Sequence, residues 1–135
     1  IAEFRKVKIF TPQDMLFIAE HRGKPVGFAF AFPDVNQALI SLKGRMLPFN
    51  WIRFLRDLKK IDRIRVALMG VKREHRSKGI DLMFYKKIVD NSVKHGYHRA
   101  ELSWILENNR MMNRVLEHID AHKTKTYAIF EKKID

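Results

Sequence analysis

The apolar stretch within Asp14-Met-Leu-Phe-Ile-Ala-Glu20 is followed by the polar tetrapeptide His21-Arg-Gly-Lys24 and then by a second apolar run, Pro25 to Phe32. Short runs bounded by a glycine turn predict two strands joined as a β-hairpin, with Gly23 supplying the positive φ. Asp34 stands at the expected N-cap of a short helix running to about Leu42, and Gly44 ends it. After Pro48, the residues Trp51, Phe54, Leu55 and Leu58 recur at helical spacing. They predict a second helix with these four as its core stripe and Arg53, Arg56, Lys59 and Lys60 on the opposite face.

Ile61 to Val71 is rich in β-branched and aliphatic residues and predicts a buried strand. Gly79 opens a long helix whose apolar set is Ile80, Met83, Phe84, Ile88 and Val93, with Gly96 as its C′ residue. Ala100-Glu-Leu-Ser-Trp-Ile-Leu-Glu107 alternates as a strand would, placing Leu102 and Trp104 on one face and Glu101 and Ser103 on the other. Asn108 or Asn109 is then expected to cap a helix with Met112, Val115, Leu116 and Ile119 inward, and Thr124 to Lys132 to form a closing strand. The predicted order is β-β-α-α-β-α-β-α-β. Because a helix of about 17 residues joins the strands at Ile61 and Ala100, that pair is expected to be parallel. The fold class is therefore α/β (α+β), a mixed, mostly antiparallel sheet with helices on both faces, in a single domain over residues 1–135.

Composition narrows the function. With 135 residues, 46% of them hydrophobic, and ten Phe, the chain has enough apolar side chain for a core and is no disordered polycation. The absence of cysteine excludes disulfides, thiolate metal sites and cysteine nucleophiles. No run approaches the roughly 18 apolar residues of a membrane span, and Ile1-Ala2-Glu3-Phe4-Arg5-Lys6 has no secretory core, so a cytoplasmic protein is expected. The start at Ile suggests a domain cut from a longer polypeptide. A formal net charge of +12 points to anionic partners, nucleic acid among them.

The densest basic cluster, Lys72, Arg73, Arg76 and Lys78, lies between a strand pattern and a helix pattern. A helix N-terminus offers unpaired N–H groups and a partial positive charge, so a loop curling onto it favours a phosphate. Gly79 allows close backbone approach there, and Arg76 and Lys78 add charge. The segment Val71-Lys72-Arg73-Glu74-His75-Arg76-Ser77-Lys78-Gly79-Ile80-Asp81 resembles the Arg/Gln-x-x-Gly-x-Gly/Ala loop of the GNAT superfamily of acyl-coenzyme A-dependent N-acyltransferases. It matches at Val71, Glu74, Arg76, Gly79 and Ile80. A second element of that family, Asn-x-x-Ala before Leu-Tyr-Glu-Lys-x-Gly-Phe, aligns with Asn109, Met112 and Val115-Leu116-Glu117-His118-Ile119-Asp120-Ala121.

The resemblance implies a GNAT-like sheet, seen from its second strand onward, with a parallel strand pair that splays apart. It implies that Arg76, Ser77, Lys78, Gly79, Ile80 and Asp81 hold the pyrophosphate of acetyl- or another acyl-coenzyme A. The backbone around Met69, Gly70 and Val71 would pair with the pantetheine arm, and Asn109 would sit beside it. It further implies transfer of the acyl group to an amine, with a backbone N–H polarising the thioester oxygen, a base removing the ammonium proton and an acid protonating the thiolate. Asp81 replaces the usual Gly or Ala, and its carboxylate opposes an anion unless it faces away or pairs with Lys78 or Arg76. Leu116 occupies the place of the proton-donating Tyr, and Asp120-Ala121 replaces Gly-Phe.

Glu101 is the candidate base; the bland reading of it is a partner of one of the many Arg or Lys residues. Tyr85, Tyr97 and Tyr127 are substitute acids, each also readable as a packing residue. His118 and His122 have the spacing of helical metal ligands, yet no third ligand accompanies them, so no metal is expected. Three functions follow: an N-acyltransferase, a coenzyme- or partner-binding module without turnover, and a basic nucleic-acid-binding domain.

Overall fold

In the computed structural model, residues 11–44 and 50–133 are described. They divide into two compact units, Ile1–Ser103 and Trp104–Asp135. Pro48 and the Ile1-to-Lys6 stretch lie outside the described residues.

The first unit opens on a short turn and then the hairpin of β1 (Leu16–His21) and β2 (Lys24–Pro33). Its turn holds Arg22 at φ 51° and Gly23 at φ 72°. Two successive left-handed residues give the turn type whose twist matches that of paired strands. The sequence signals the glycine's part; Arg22 adopts its conformation because the two-residue connection demands it. The chain then inserts α1 (Asn36–Leu39), a tight turn Ile40–Leu42 and α2 (Asn50–Leu58) before β3 (Arg63–Val71), and continues through α3 (Ile80–Lys94) into β4 (Arg99–Leu102).

The sheet runs β1-β2-β3-β4, with the first two pairs antiparallel and β3–β4 parallel. As expected, α3 makes the crossover that parallel pairing needs. One sheet face packs on α3, and the core joins Met15, Ala29, Ala31, Ile64 and Val66 to Phe84 and Ile88. Burying each large side chain there contributes roughly 1.5–3 kcal/mol. At Gly27 an added Cβ would stand 3.0 Å from Gly70 O and 3.2 Å from Phe84 Cε2, so helix and sheet approach closely.

Several expectations are corrected. On α3 the buried residues are Phe84, Ile88 and Ser92, one per turn; Met83 and Val93 are exposed because the sheet covers a narrow strip of the helix. On α2, which packs beside α1 and the Ile40–Leu42 turn, Phe54 and Leu58 are half-buried while Trp51 and Leu55 are exposed. Asp34 makes no side-chain cap; its carboxylate binds Arg63. The strand expected over Ala100–Glu107 stops at Leu102, and Trp104 is exposed.

The second unit is built on α4 (Arg110–His118). Asn109 caps it, its Oδ1 accepting Met112 N–H at 3.3 Å, as expected. Met112, Val115 and Leu116 are half-buried, but Ile119 is exposed because the helix ends at His118. Thr124 to Lys132 forms no strand. Alternation alone does not make a strand; a ladder of partner N–H and C=O groups does, and no strand pairs with this segment among the described residues.

Candidate functional site

The pairing of β3 with β4 covers four residues, from Arg63↔Arg99 to Val66↔Leu102. Beyond Val66, β3 continues to Val71 with no β4 partner. The separation coincides with an irregularity in the other ladder: Phe30 pairs with Leu68 and Ala31 with Val66, leaving Ala67 as the extra residue. A bulge bends its strand and increases local twist, turning the second half of β3 away from the line of β4. From Leu68 onward the strand keeps its pairing with β2 only. Backbone donors and acceptors on its other edge have no strand partner among the described residues. Met69, Gly70 and Val71, the predicted pantetheine residues, lie in this stretch and are half-buried.

The strand runs directly into the predicted phosphate loop. Lys72 N–H donates to Val26 O at 2.8 Å, and Arg73–His75 forms one tight turn. Arg76 folds back so that its Nε donates to Val71 O at 3.1 Å, tying the loop to the strand end. Ser77 and Gly79 then take left-handed conformations, at φ 58° and φ 76°, before α3 begins at Ile80. Apart from its two chain neighbours, no described residue places a heavy atom within 4 Å of where a Gly79 Cβ would stand, so the loop is open on that side. The first helical carbonyl bond is Met83 N–H to Gly79 O, which leaves the N–H groups ahead of it at the mouth of the loop. An open backbone cradle with exposed Lys78 beside it suits a pyrophosphate.

Asp81 makes no ion pair with Lys78 or Arg76 among the described residues. Its charge acts one turn along α3 on Tyr85. The Tyr85 hydroxyl is raised above its usual pKa, first by burial and then by Asp81. Burial likewise raises Tyr97. Tyr127 belongs to the second unit, where its ring lies 6.3 Å from that of Trp104.

Glu101 faces Arg65 in register across β3 and β4. One Arg65 nitrogen, Nη2, donates to both carboxylate oxygens at 3.1 Å, while Arg65 Nε is buried without a partner. The pair fixes where the carboxylate points and still leaves lone pairs free.

Asn109 and Leu116 lie in the second unit. His118 Nδ1 lies 2.7 Å from Arg114 O, and His122 follows the end of α4, so the two histidines share no helix face. Among the described residues no group of three metal-ligating side chains gathers.

One feature escaped the sequence. The register Gly27↔Val71 brings the hairpin tip to the loop end of the sheet. His21 and His75 have ring centroids 5.3 Å apart, and they join Lys78, Ile80, Phe84 and Lys87 in lining an open groove of about 620 Å³. Nothing local in the sequence links His21 to His75; strand register does.

No family model matches the chain. It is 36% identical over 135 residues to protein YghO of Escherichia coli (strain K12), covering 96% of this chain and 35% of the relative. It is 32% identical over 136 positions to the bacterial ceramide synthase of Caulobacter vibrioides (strain NA1000 / CB15N), again covering 96% of this chain and 35% of that protein. The chain thus spans about a third of the length of these curated relatives. Among solved structures, the aminoglycoside N-acetyltransferase AAC(6')-Iy in complex with CoA superposes with a TM-score of 0.63 at 16% identity, over 98% of this chain and 85% of that one. Among the described residues no helix is long and apolar enough to cross a membrane.

Proposed function

We propose that this chain, whose fold is that of the GNAT N-acyltransferases, binds an acyl-coenzyme A and transfers its acyl group to an amine. The observation that carries the reading is the continuity of the parted edge of β3 with the open loop at Gly79. That arrangement offers a linear row of backbone groups ending at a helix N-terminus, which matches a pantetheine arm ending in a pyrophosphate. Met69, Gly70 and Val71 would take the arm; Arg76, Ser77, Lys78, Gly79, Ile80 and Asp81 would take the phosphates.

In the reaction the amine nitrogen attacks the thioester carbonyl carbon, the C–S bond breaks, and coenzyme A leaves as its thiolate. A β3 backbone N–H beyond the bulge stabilises the carbonyl oxygen as negative charge develops. Glu101, oriented by Arg65, accepts the ammonium proton directly or through one water. With Leu116 in the place of the usual Tyr, the thiolate proton comes from Tyr85, Tyr97 or solvent. Kinship with a bacterial ceramide synthase supports a long-chain amino alcohol as acceptor and a fatty acyl group as donor, since a ceramide is the amide of those two.

Calorimetric titration with acetyl- and long-chain acyl-coenzyme A tests the proposal. Saturable binding that weakens with Arg76→Ala is expected; no binding at millimolar ligand to a folded chain would overturn it. A second reading, a coenzyme-binding module without turnover, is favoured by Leu116 and by the engagement of both Glu101 oxygens. Binding without thiol release across long-chain and polar amines would select it.

A further inference from the structure

On α2 the exposed Trp51 and Leu55 are four apart, one above the other on the helix, and beside them stand Ile52 and Arg56, also four apart. Arg53 is exposed as well, and the exposed Lys59 and Lys60 follow directly on the helix end at Leu58. The surface therefore runs from an apolar start to a cationic end. The apolar members are well exposed: Trp51 at 50%, Ile52 at 55% and Leu55 at 49%. Ile40, on the turn packed beside α2, is 75% exposed. Four basic side chains, Arg53, Arg56, Lys59 and Lys60, accompany one acid, Asp57. Asp57 lies 3.6–3.8 Å from Arg53, Arg56 and Lys60, leaving a cationic excess on the helix.

We infer that α2 docks on an anionic lipid surface, its Trp51–Ile52–Leu55 patch entering the headgroup boundary while Arg56, Lys59 and Lys60 meet lipid phosphates. Charge selects this occupant. A second copy of the chain would bring the same cations together, and a nucleic acid would have no use for three exposed apolar side chains beside them. An amphipathic helix bearing an aromatic and flanking cations has the chemistry of an interfacial anchor, with apolar burial and electrostatic attraction adding. The net charge of +12 acts in the same direction. The inference stands on this surface alone, although a lipid acceptor would give docking a purpose.

The test uses the whole chain with Trp104→Phe, which leaves Trp51 as the sole tryptophan. Vesicles of phosphatidylcholine, with and without phosphatidylglycerol, are added at low salt, and fluorescence and co-sedimentation are followed. Expected are a blue shift of Trp51 and co-sedimentation with the phosphatidylglycerol vesicles, both weakened by salt. Trp51→Ser with Leu55→Ser, in the otherwise unchanged chain, should weaken co-sedimentation by about tenfold or more. Absence of a blue shift on anionic vesicles overturns the inference, as does undiminished binding by the folded double variant. Self-association that buries Trp51 without lipid also overturns it. If the double variant fails to fold, Ile52→Ser and the Trp51 fluorescence decide. Coenzyme binding is measured separately, so failure here leaves the acyl-transfer reading standing and the reverse holds equally.

Discussion

Asp34, 1% exposed at the end of β2, receives Arg63 Nε at 2.8 Å and Nη2 at 2.5 Å on a single oxygen, Oδ2. Its backbone N–H also donates to Arg63 O at 2.8 Å. The two residues close the loop that carries α1 and α2, because one directly follows the strand before it and the other begins the strand after it. Removing the acid leaves a partly buried guanidinium without its partner. Asp34→Ala is therefore expected to destabilise the chain by about 3 kcal/mol, the lower end for a broken buried pair, since Arg63 retains some solvent access. Thermal or denaturant unfolding measures this, and Arg63→Met combined with Asp34→Leu should recover part of the loss.

Gly79 gives a prediction of another kind. It sits at φ 76° with open space beyond, so a methyl group there meets no atom but holds the backbone in a costly conformation. Gly79→Ala should lower stability by about 1 kcal/mol. The methyl would also project towards the space assigned to the pyrophosphate, so acyl-coenzyme A affinity should fall roughly tenfold. A calorimetric titration beside a thermal melt separates the two effects.

The hairpin, the parallel crossover and the Gly79 loop were legible in the sequence because each is set locally. Glycines mark Gly23 and Gly79, a β-branched run marks β3, and α3 has the length a crossover needs. The sides that helices present were less legible. Trp51 and Leu55 fit a core stripe by periodicity, but a helix packed along a narrow strip half-buries Phe54 and Leu58 and leaves its other apolar side chains exposed. The closing strand at Thr124 was unreadable for a similar reason: strand formation depends on a partner edge, which alternation does not reveal. At the candidate site, charge and glycine placement singled out Arg76, Lys78 and Gly79, and the family resemblance implied a parallel pair that splays apart. That β3 parts from β4 at Ala67 was not legible, because a bulge depends on the register of two strands distant in sequence.

Acid sensitivity follows from Asp62. Arg99 Nη2 donates to its two carboxylate oxygens at 2.7 and 2.6 Å, and Gln37 Nε2 donates to Oδ1 at 2.7 Å. These bonds, Arg99's first, lower its pKa from 3.8 to about 2. A depressed folded-state value means that the stabilisation is fully present above 3.8 and is lost as pH falls towards about 2. Asp14, lowered chiefly by its hydrogen bond with His95, acts in the same direction. Asp62→Asn should lower the melting temperature at neutral pH and flatten its decline over this acid window.

Glu101 is the decisive position for turnover. Were it only the partner of Arg65, replacing it would alter a half-exposed pair worth at most about 1 kcal/mol. As the base that takes the ammonium proton, its replacement should act on the rate. Glu101→Gln keeps the shape and one hydrogen-bond acceptor but removes the basic carboxylate. We expect kcat to fall by about a hundredfold or more, with KM for the acyl-coenzyme A little changed. A fall in kcat with KM held is a readout that a structural role would not give. An unchanged kcat would remove Glu101 from the chemistry and leave its carboxylate as a tie between β3 and β4.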